Sequence, residues 1–477
     1  MKEKQQPFIP DRAFMVQLAS YCLDYFKRNK SKNDIIESIQ QQQKFKKVRG
    51  KLIKYFHSIM KYKNLLEFFL GKIDPGVSLI NDEDTLEHLI SLGKIFHYWE
   101  PFIERGKESH PSKGMQDVEN VKLSKSNPII PLSWSEFDER VKNMQVKGLF
   151  NQMDDISTLS LKYAHPTFFV KKMLELVTRD RLERILAAHR DDDVFFLAAG
   201  TTRHFQEMKQ FLAGKGFSFQ EDRFFQNLLQ VRNIPGWKSA VLDLELVKES
   251  RVLIQDRGSI AIIEALDIEP GDVILDACAA PFQKTIGVPW RCGSKGRIFA
   301  VDRHGSRILP NLPRMKPKSF ANIYPVNADS SRISKLFRDF EPNKILLDVP
   351  CTGSGSLISF PELKLQQNRE FLERNVVIQK KILRSVLDFT RINEWERTEI
   401  VYSTCSYYPR EGEAIIDEIL EEIIIMDLHD PQSSSPGVVS LPFGWKGYQC
   451  SRKVARTFPD DGSGSKGFFI AKFKSRT

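Results

Sequence analysis

Two thiols, each at the end of a short apolar run, carry the strongest chemical signal in this chain. The stretch from Lys344 to Ser356 reads KILLDVPCTGSGS. Ile345, Leu346 and Leu347 have the length and composition of a buried strand. The run stops at Asp348, Pro350 and Cys351. Gly353 and Gly355 then let the chain turn sharply and lie close to a ligand. Glu399 to Thr404, EIVYST, is a second strand-like run, and Cys405 and Ser406 follow it. A lone cysteine of this kind is usually an inert core residue. Two strands that deliver a carboxylate and two thiols to one edge of a sheet point instead to covalent chemistry, in which a thiolate is the nucleophile. That edge, beyond the carboxyl ends of the strands, is where open α/β sheets bind ligands.

Other strand ends carry acids too. Val273 to Ala277 reads as a strand and runs into Asp276-Ala-Cys-Ala-Ala-Pro-Phe-Gln-Lys-Thr285, whose small residues allow close backbone approach ahead of an expected helix N-terminus. Arg297 to Val301 ends at Asp302, where an acid suits a ribose diol. Ile323 to Val326 leads to Asp329, and Lys344 to Asp348 ends in its own carboxylate. Acids at four successive strand ends, with no phosphate-binding lysine loop, suit an adenosyl ligand without phosphates. S-adenosylmethionine fits this better than a dinucleotide. The segment Gly462-Ser-Gly-Ser-Lys-Gly467 matches G-x-G-x-x-G literally, but it follows a loop and precedes a strand, so it reads as a hairpin turn.

The elements that must position these groups alternate from Gln255 onward, which predicts a mostly parallel sheet over 251–477. Ser259 is expected to cap a helix through Leu266. Phe371 to Phe389 reads as a long amphipathic helix and Ala414 to Ile424 as another. Gly467 to Phe473 closes the sheet as part of an antiparallel hairpin. Upstream, 131–250 reads as a small α+β unit, with strands at Val194 to Ala199 and Leu228 to Val231 and a helix from Phe205 to Leu212. Its interleaved basic and aromatic residues suit contacts to single-stranded RNA, although half-buried strands look the same. Residues 1–130 read as helical, with Phe14, Leu18, Tyr21 and Tyr25 on one face and a polar linker over about 104–127.

Composition narrows the class. With 477 residues, 41% of them hydrophobic, the chain can build several cores and is not globally disordered. The formal net charge of +10 favours a polyanionic partner. No apolar run approaches the roughly 18 residues of a membrane span. The first residues, MKEKQQPFIPDR, lack the apolar region of a secretory signal, so the expected location is cytoplasmic, or nuclear or nucleolar in a cell with a nucleus. The six cysteines, Cys22, Cys278, Cys292, Cys351, Cys405 and Cys450, contain no CxxC pair, which argues against a disulfide framework or a zinc ribbon.

Taken together, these blocks resemble the Sun-type, RsmB-like (NSUN) RNA cytosine-5 methyltransferases. That family carries DxCAAPGGKT, a following acid, then DAPCSG-like and STCS-like motifs. Here they read DACAAPFQKT, VD, DVPCTGSG and STCS. The resemblance extends to LSLKYAHPTFFV, IQDRGS and FPDDGSGSKGFFIAKF, in the family's order, and covers roughly 155–477. It implies a Rossmann-like class I methyltransferase sheet, S-adenosyl-L-methionine as cofactor, no metal, and ribosomal or transfer RNA as partner of a monomeric enzyme. By resemblance, Cys405 is the nucleophile, Cys351 assists release of the enzyme–RNA adduct, and Asp348 hydrogen-bonds the cytosine ring. The cofactor would lie across Cys278, Ala279, Ala280, Pro281, Phe282, Gln283, Lys284, Asp302, Asp329 and Asp348. Members of the family often carry a helical NusB-like domain where 1–130 stands here. One departure is plain, because Phe282-Gln283 replaces the family's Gly-Gly. It motivates a second reading, a catalytically silent RNA-binding or assembly protein on the same fold. A DNA cytosine methyltransferase, which would use the Pro-Cys thiol as nucleophile, is disfavoured by STCS.

Overall fold

The structure, a computed structural model, describes residues 10, 12–26, 32–43, 45–73, 86–105, 134–144, 150, 152–189, 194–232, 237–315, 320–337, 340–392, 398–421, 426–430, 438, 441–461 and 465–475. Contacts within the chain divide it into two compact units, Met1–Val170 and Lys171–Thr477.

The first unit is helical, with long helices at Arg12–Phe26, Arg49–Ile73 and Leu86–Arg105 and shorter ones between and after them. The expected apolar face of the first helix is largely realised, since Phe14, Leu18 and Tyr21 are buried and Tyr25 packs on the same core. Tyr55 joins the helices at their centre. Its ring meets Phe14 at 5.3 Å and Phe96 at 5.1 Å, both edge to face. The Asn64 amide donates to the Ser160 carbonyl at 3.2 Å and to the His165 carbonyl at 3.1 Å, which fixes LSLKYAHP against the long helix. Nearly all of the expected linker over 104–127 lies outside the described residues.

The second unit holds two sheets. The smaller has strands β1 (Val194–Ala199), β2 (Phe219–Glu221), β3 (Leu228–Arg232) and β4 (Val252–Ile254), in the order β2-β3-β1-β4 and antiparallel throughout. The larger has β5 (Val273–Asp276), β6 (Arg297–Asp302), β7 (Ile323–Asn327), β8 (Lys344–Asp348), β9 (Glu399–Thr404), β10 (Met426–His429), β11 (Val454–Arg456) and β12 (Phe469–Ser475). Its order is β10-β12-β9-β8-β5-β6-β7, with β11 on β12. β9, β8, β5, β6 and β7 are parallel, and β12 turns the sheet antiparallel at β9. Ile345, Leu346 and Leu347 are fully buried, as a central parallel strand covered on both faces requires.

One cap is shifted from its expected place. Asp256 caps the helix Arg257–Ala265 by accepting the Gly258 N–H at 2.9 Å, and Ser259 lies inside the first turn. The carboxylate three residues earlier is the stronger acceptor for the free N–H groups of a helix start.

Candidate active site

The parallel register sets the site. Asp348 stands opposite Ser403 across β8 and β9, so Cys351 and Cys405 leave neighbouring strands at the same end. Their sulfurs are 3.2 Å apart. The carboxyl ends of β5, β6 and β8 bring Asp276, Asp302 and Asp348 to that same edge. Asp329 lies two residues past β7, half-buried, where it accepts the Ser331 N–H at 3.0 Å and closes its own turn.

The loop between the thiol and the next helix is shaped by glycine. Gly353 adopts a left-handed φ of 66°. At Gly355 a Cβ would sit 2.0 Å from the Gly467 carbonyl oxygen. Gly355 also donates to the Cys405 carbonyl at 2.9 Å and accepts from Gly467 N–H at 2.9 Å. The tail of the GSGSKG segment is therefore a brace for the thiol loop. Gly462–Gly464 lie outside the described residues.

Charge is arranged around the two thiols. Lys284 donates to Asp348 at 2.6 Å, and the Ser403 hydroxyl donates to the other oxygen of Asp348 at 3.0 Å. The hydrogen bond from the Cys351 thiol, with help from the Lys284 ammonium, holds Cys405 below the ordinary thiol range against the opposing pull of burial and Asp348. Cys351, half-buried, is pushed well up by its hydrogen bond with Cys405 and by desolvation. The two thiols are thus shifted in opposite directions, Cys405 toward its thiolate form and Cys351 away from it. Asp276 is buried and raised to about 7, chiefly by desolvation, and the Thr285 hydroxyl donates to it at 2.7 Å. Burial also raises Cys278, with Asp276 next in effect.

The segment from Cys278 to Lys284 folds back over the strand ends. Ala280 N–H donates to Asp302 at 3.2 Å, and the His304 N–H donates to the other Asp302 oxygen at 2.9 Å. Pro281 and Gln283 are exposed, while Phe282 is fully buried. Phe282 adopts φ 68°, the region glycine prefers, and its ring joins the core formed by Ile263, Ile274, Ile286 and Val288. The loop accordingly keeps a glycine-like backbone, and the bulk of the phenylalanine is spent in the core. Phe282→Gly is expected to lower stability by about 2 kcal/mol. The lost ring costs roughly 3–5 kcal/mol, and relief of the left-handed backbone returns about 1–2 kcal/mol. Denaturant unfolding measures this, and an unchanged or higher midpoint would show that the ring does not anchor the loop.

Several residues that shape the site gave no clear sequence signal. Glu411 is fully buried and accepts the Thr352 N–H and the Gln379 amide, each at 2.9 Å. Gln379 also donates to the Pro350 carbonyl at 2.9 Å, so Cys351 is held from both sides along the backbone. Arg456 and Glu413 form a buried ion pair at 2.6 and 2.7 Å, and Arg456 also donates to the Ser406 carbonyl at 2.8 Å. Among the described residues, no group of three or more His, Cys, Asp or Glu could hold a metal ion. No described helix is long and apolar enough to cross a membrane.

Comparison with known proteins gives a consistent picture. Residues 263–474 match the family model of 16S rRNA methyltransferase RsmB/F. The chain is 22% identical, over 59% of its length, to the probable ribosomal RNA small subunit methyltransferase B of Bacillus subtilis, and spans 62% of that protein. It is 32% identical, over 35% of its length, to the 26S rRNA (cytosine-C(5))-methyltransferase nsun-1 of Caenorhabditis elegans, and spans 25% of it. The fold is similar to that of NSun6 from Pyrococcus horikoshii with SFG, at a TM-score of 0.53 and 18% identity, over 65% of this chain and 98% of that one.

Proposed function

We propose, from the match of residues 263–474 to the family model of 16S rRNA methyltransferase RsmB/F, that this chain methylates carbon 5 of cytosine in RNA through a covalent cysteine adduct. The observation that carries the reading is the pair of thiols 3.2 Å apart, set beside Asp348 and Lys284 at the carboxyl edge of the sheet.

Carbon 5 of cytosine is a poor nucleophile. Addition of the Cys405 thiolate to carbon 6 would make an enamine whose carbon 5 can take a methyl group. Asp348 would hydrogen-bond the cytosine ring and favour that addition. After transfer, the proton on carbon 5 would pass to water, the electrons of that C–H bond would reform the C5–C6 double bond, and the Cys405 sulfur would depart from carbon 6 as a thiolate. Cys351 would assist this release. S-adenosyl-L-methionine, bound across Cys278 to Lys284 with Asp302, Asp329 and Asp348, would supply the methyl group from its sulfonium. The burial of Phe282 favours the fit, because its ring does not project from the loop that would line the cofactor.

The RNA would be ribosomal or transfer RNA, met by a monomer in the cytoplasm, or in the nucleus or nucleolus of a cell that has one. Residues 1–130, as a NusB-like helical domain, and 131–250, as an RNA-contact module, would position it, with 251–477 as the methyltransferase domain. The net charge of +10 supports a nucleic-acid partner. The decisive experiment incubates the chain with methyl-labelled S-adenosylmethionine and pooled ribosomal and transfer RNA, then digests the RNA to nucleosides. Label should appear in 5-methylcytosine. No label across the pool, together with no cofactor binding by calorimetry, would favour the silent RNA-binding reading that Phe282-Gln283 motivates.

A further inference from the structure

Glu411 touches neither thiol, yet it binds the residue beside each. It accepts the Thr352 N–H at 2.9 Å and the Thr352 hydroxyl on its other oxygen, next to Cys351. Burial raises Glu411, and the Ser406 hydroxyl, next to Cys405, opposes that rise. The Gln379 amide donates to Glu411 and to the Pro350 carbonyl, both at 2.9 Å, and so ties the carboxylate to the far side of Cys351. The Thr352 and Ser406 hydroxyls themselves lie 3.4 Å apart. One fully buried carboxylate therefore gathers donors from both thiol loops and from the long helix Arg369–Ile392.

A carboxylate is the group that can do this. It offers only acceptors, and every partner here can donate. Placed in water-free surroundings, its bonds are stronger than the same bonds at the surface. The spacing of the two sulfurs depends on how the two loops are held, because neither thiol has a rigid side chain of its own.

We propose that Glu411 is a positioning residue that, by holding the loops of both thiols, sets the distance between Cys351 and Cys405 and with it the difference in reactivity between them. The idea rests on the methyltransferase reading for its biological use, but the chemistry of the thiols can be tested without RNA or cofactor.

The test is alkylation of the intact chain by iodoacetamide over a range of pH, with mass spectrometry to locate the label. In the wild type Cys405 should react before Cys351, with a midpoint below the free thiol value of about 8.5. Glu411→Gln keeps the shape and removes acceptor capacity. Its Cys405 midpoint should rise by about one pH unit, and the preference for Cys405 over Cys351 should shrink severalfold. Thr352→Val, which removes one grip and no charge, should move both in the same direction by less. A folded Glu411→Gln protein with the wild-type midpoint and selectivity would overturn the proposal. If Glu411→Gln does not fold, a wild-type profile in Thr352→Val overturns it. Glu411→Asp, which keeps the carboxylate, should recover part of the selectivity. Failure of the methylation assay with these alkylation results intact would count against the methyltransferase reading and leave the positioning role standing.

Discussion

Cys405→Ala is expected to abolish methyl transfer, by on the order of a thousandfold or more, and to eliminate any covalent RNA adduct. The reason is the order of the steps in the proposed reaction. There, addition of sulfur to carbon 6 precedes methylation, and among the described residues Cys405 is the thiol at this edge that is held toward its thiolate form. Cys351→Ala should behave differently. Elimination from the methylated base is a separate step, so an adduct should still form and then persist. Removing Cys351 also removes the hydrogen bond that lowers Cys405, so adduct formation in that variant should need higher pH than in the wild type. Denaturing electrophoresis of each variant after incubation with RNA and cofactor reads the result as a protein band shifted by RNA. A shifted band in Cys405→Ala and none in Cys351→Ala at any pH would reverse the roles and favour the arrangement of DNA enzymes.

The candidate edge was legible because it is built from the most regular part of the chain. Central parallel strands are buried on both faces, so they read as apolar runs. The first polar residue after each run marks the edge where ligands bind. Asp276, Asp302, Asp348, Cys351 and Cys405 could be placed that way, and the register of β8 on β9 brings the two thiols into contact. The braces behind them could not. Gln379 sits on a long amphipathic helix, where a polar residue ordinarily marks the solvent side, yet it is fully buried against Pro350 and Glu411. Its partners are 29 and 32 positions away, and no local period encodes them. The strand β4 is only three residues long and carried no alternation to read. Phe282 could not be read for a different reason. A missing glycine signals lost backbone freedom, but tertiary packing of the ring can offset the cost of a left-handed φ, and only the core around Ile263 and Ile274 reveals that.

Arg456→Ala should be the most destabilising single change behind the site, at roughly 3–5 kcal/mol. Arg456 is among the largest fully buried side chains, and its guanidinium grips both oxygens of Glu413 in the fork geometry that suits a carboxylate. Deleting it leaves the Glu413 carboxyl in a dry core with only the Trp445 N–H, at 2.7 Å, as a remaining donor to its Oε1 atom. It also releases the Ser406 carbonyl, one residue from Cys405. Stability and chemistry should therefore fall together, with a lower denaturant midpoint and slower alkylation of Cys405. The double variant Arg456→Met with Glu413→Leu separates the two effects. Replacing both charges removes the stranded carboxylate, so much of the lost stability should return, whereas the grip on Ser406 stays lost and Cys405 should remain slow. Loss of less than about 1 kcal/mol in Arg456→Ala would mean that water reaches Glu413 and that the pair is not a dry anchor.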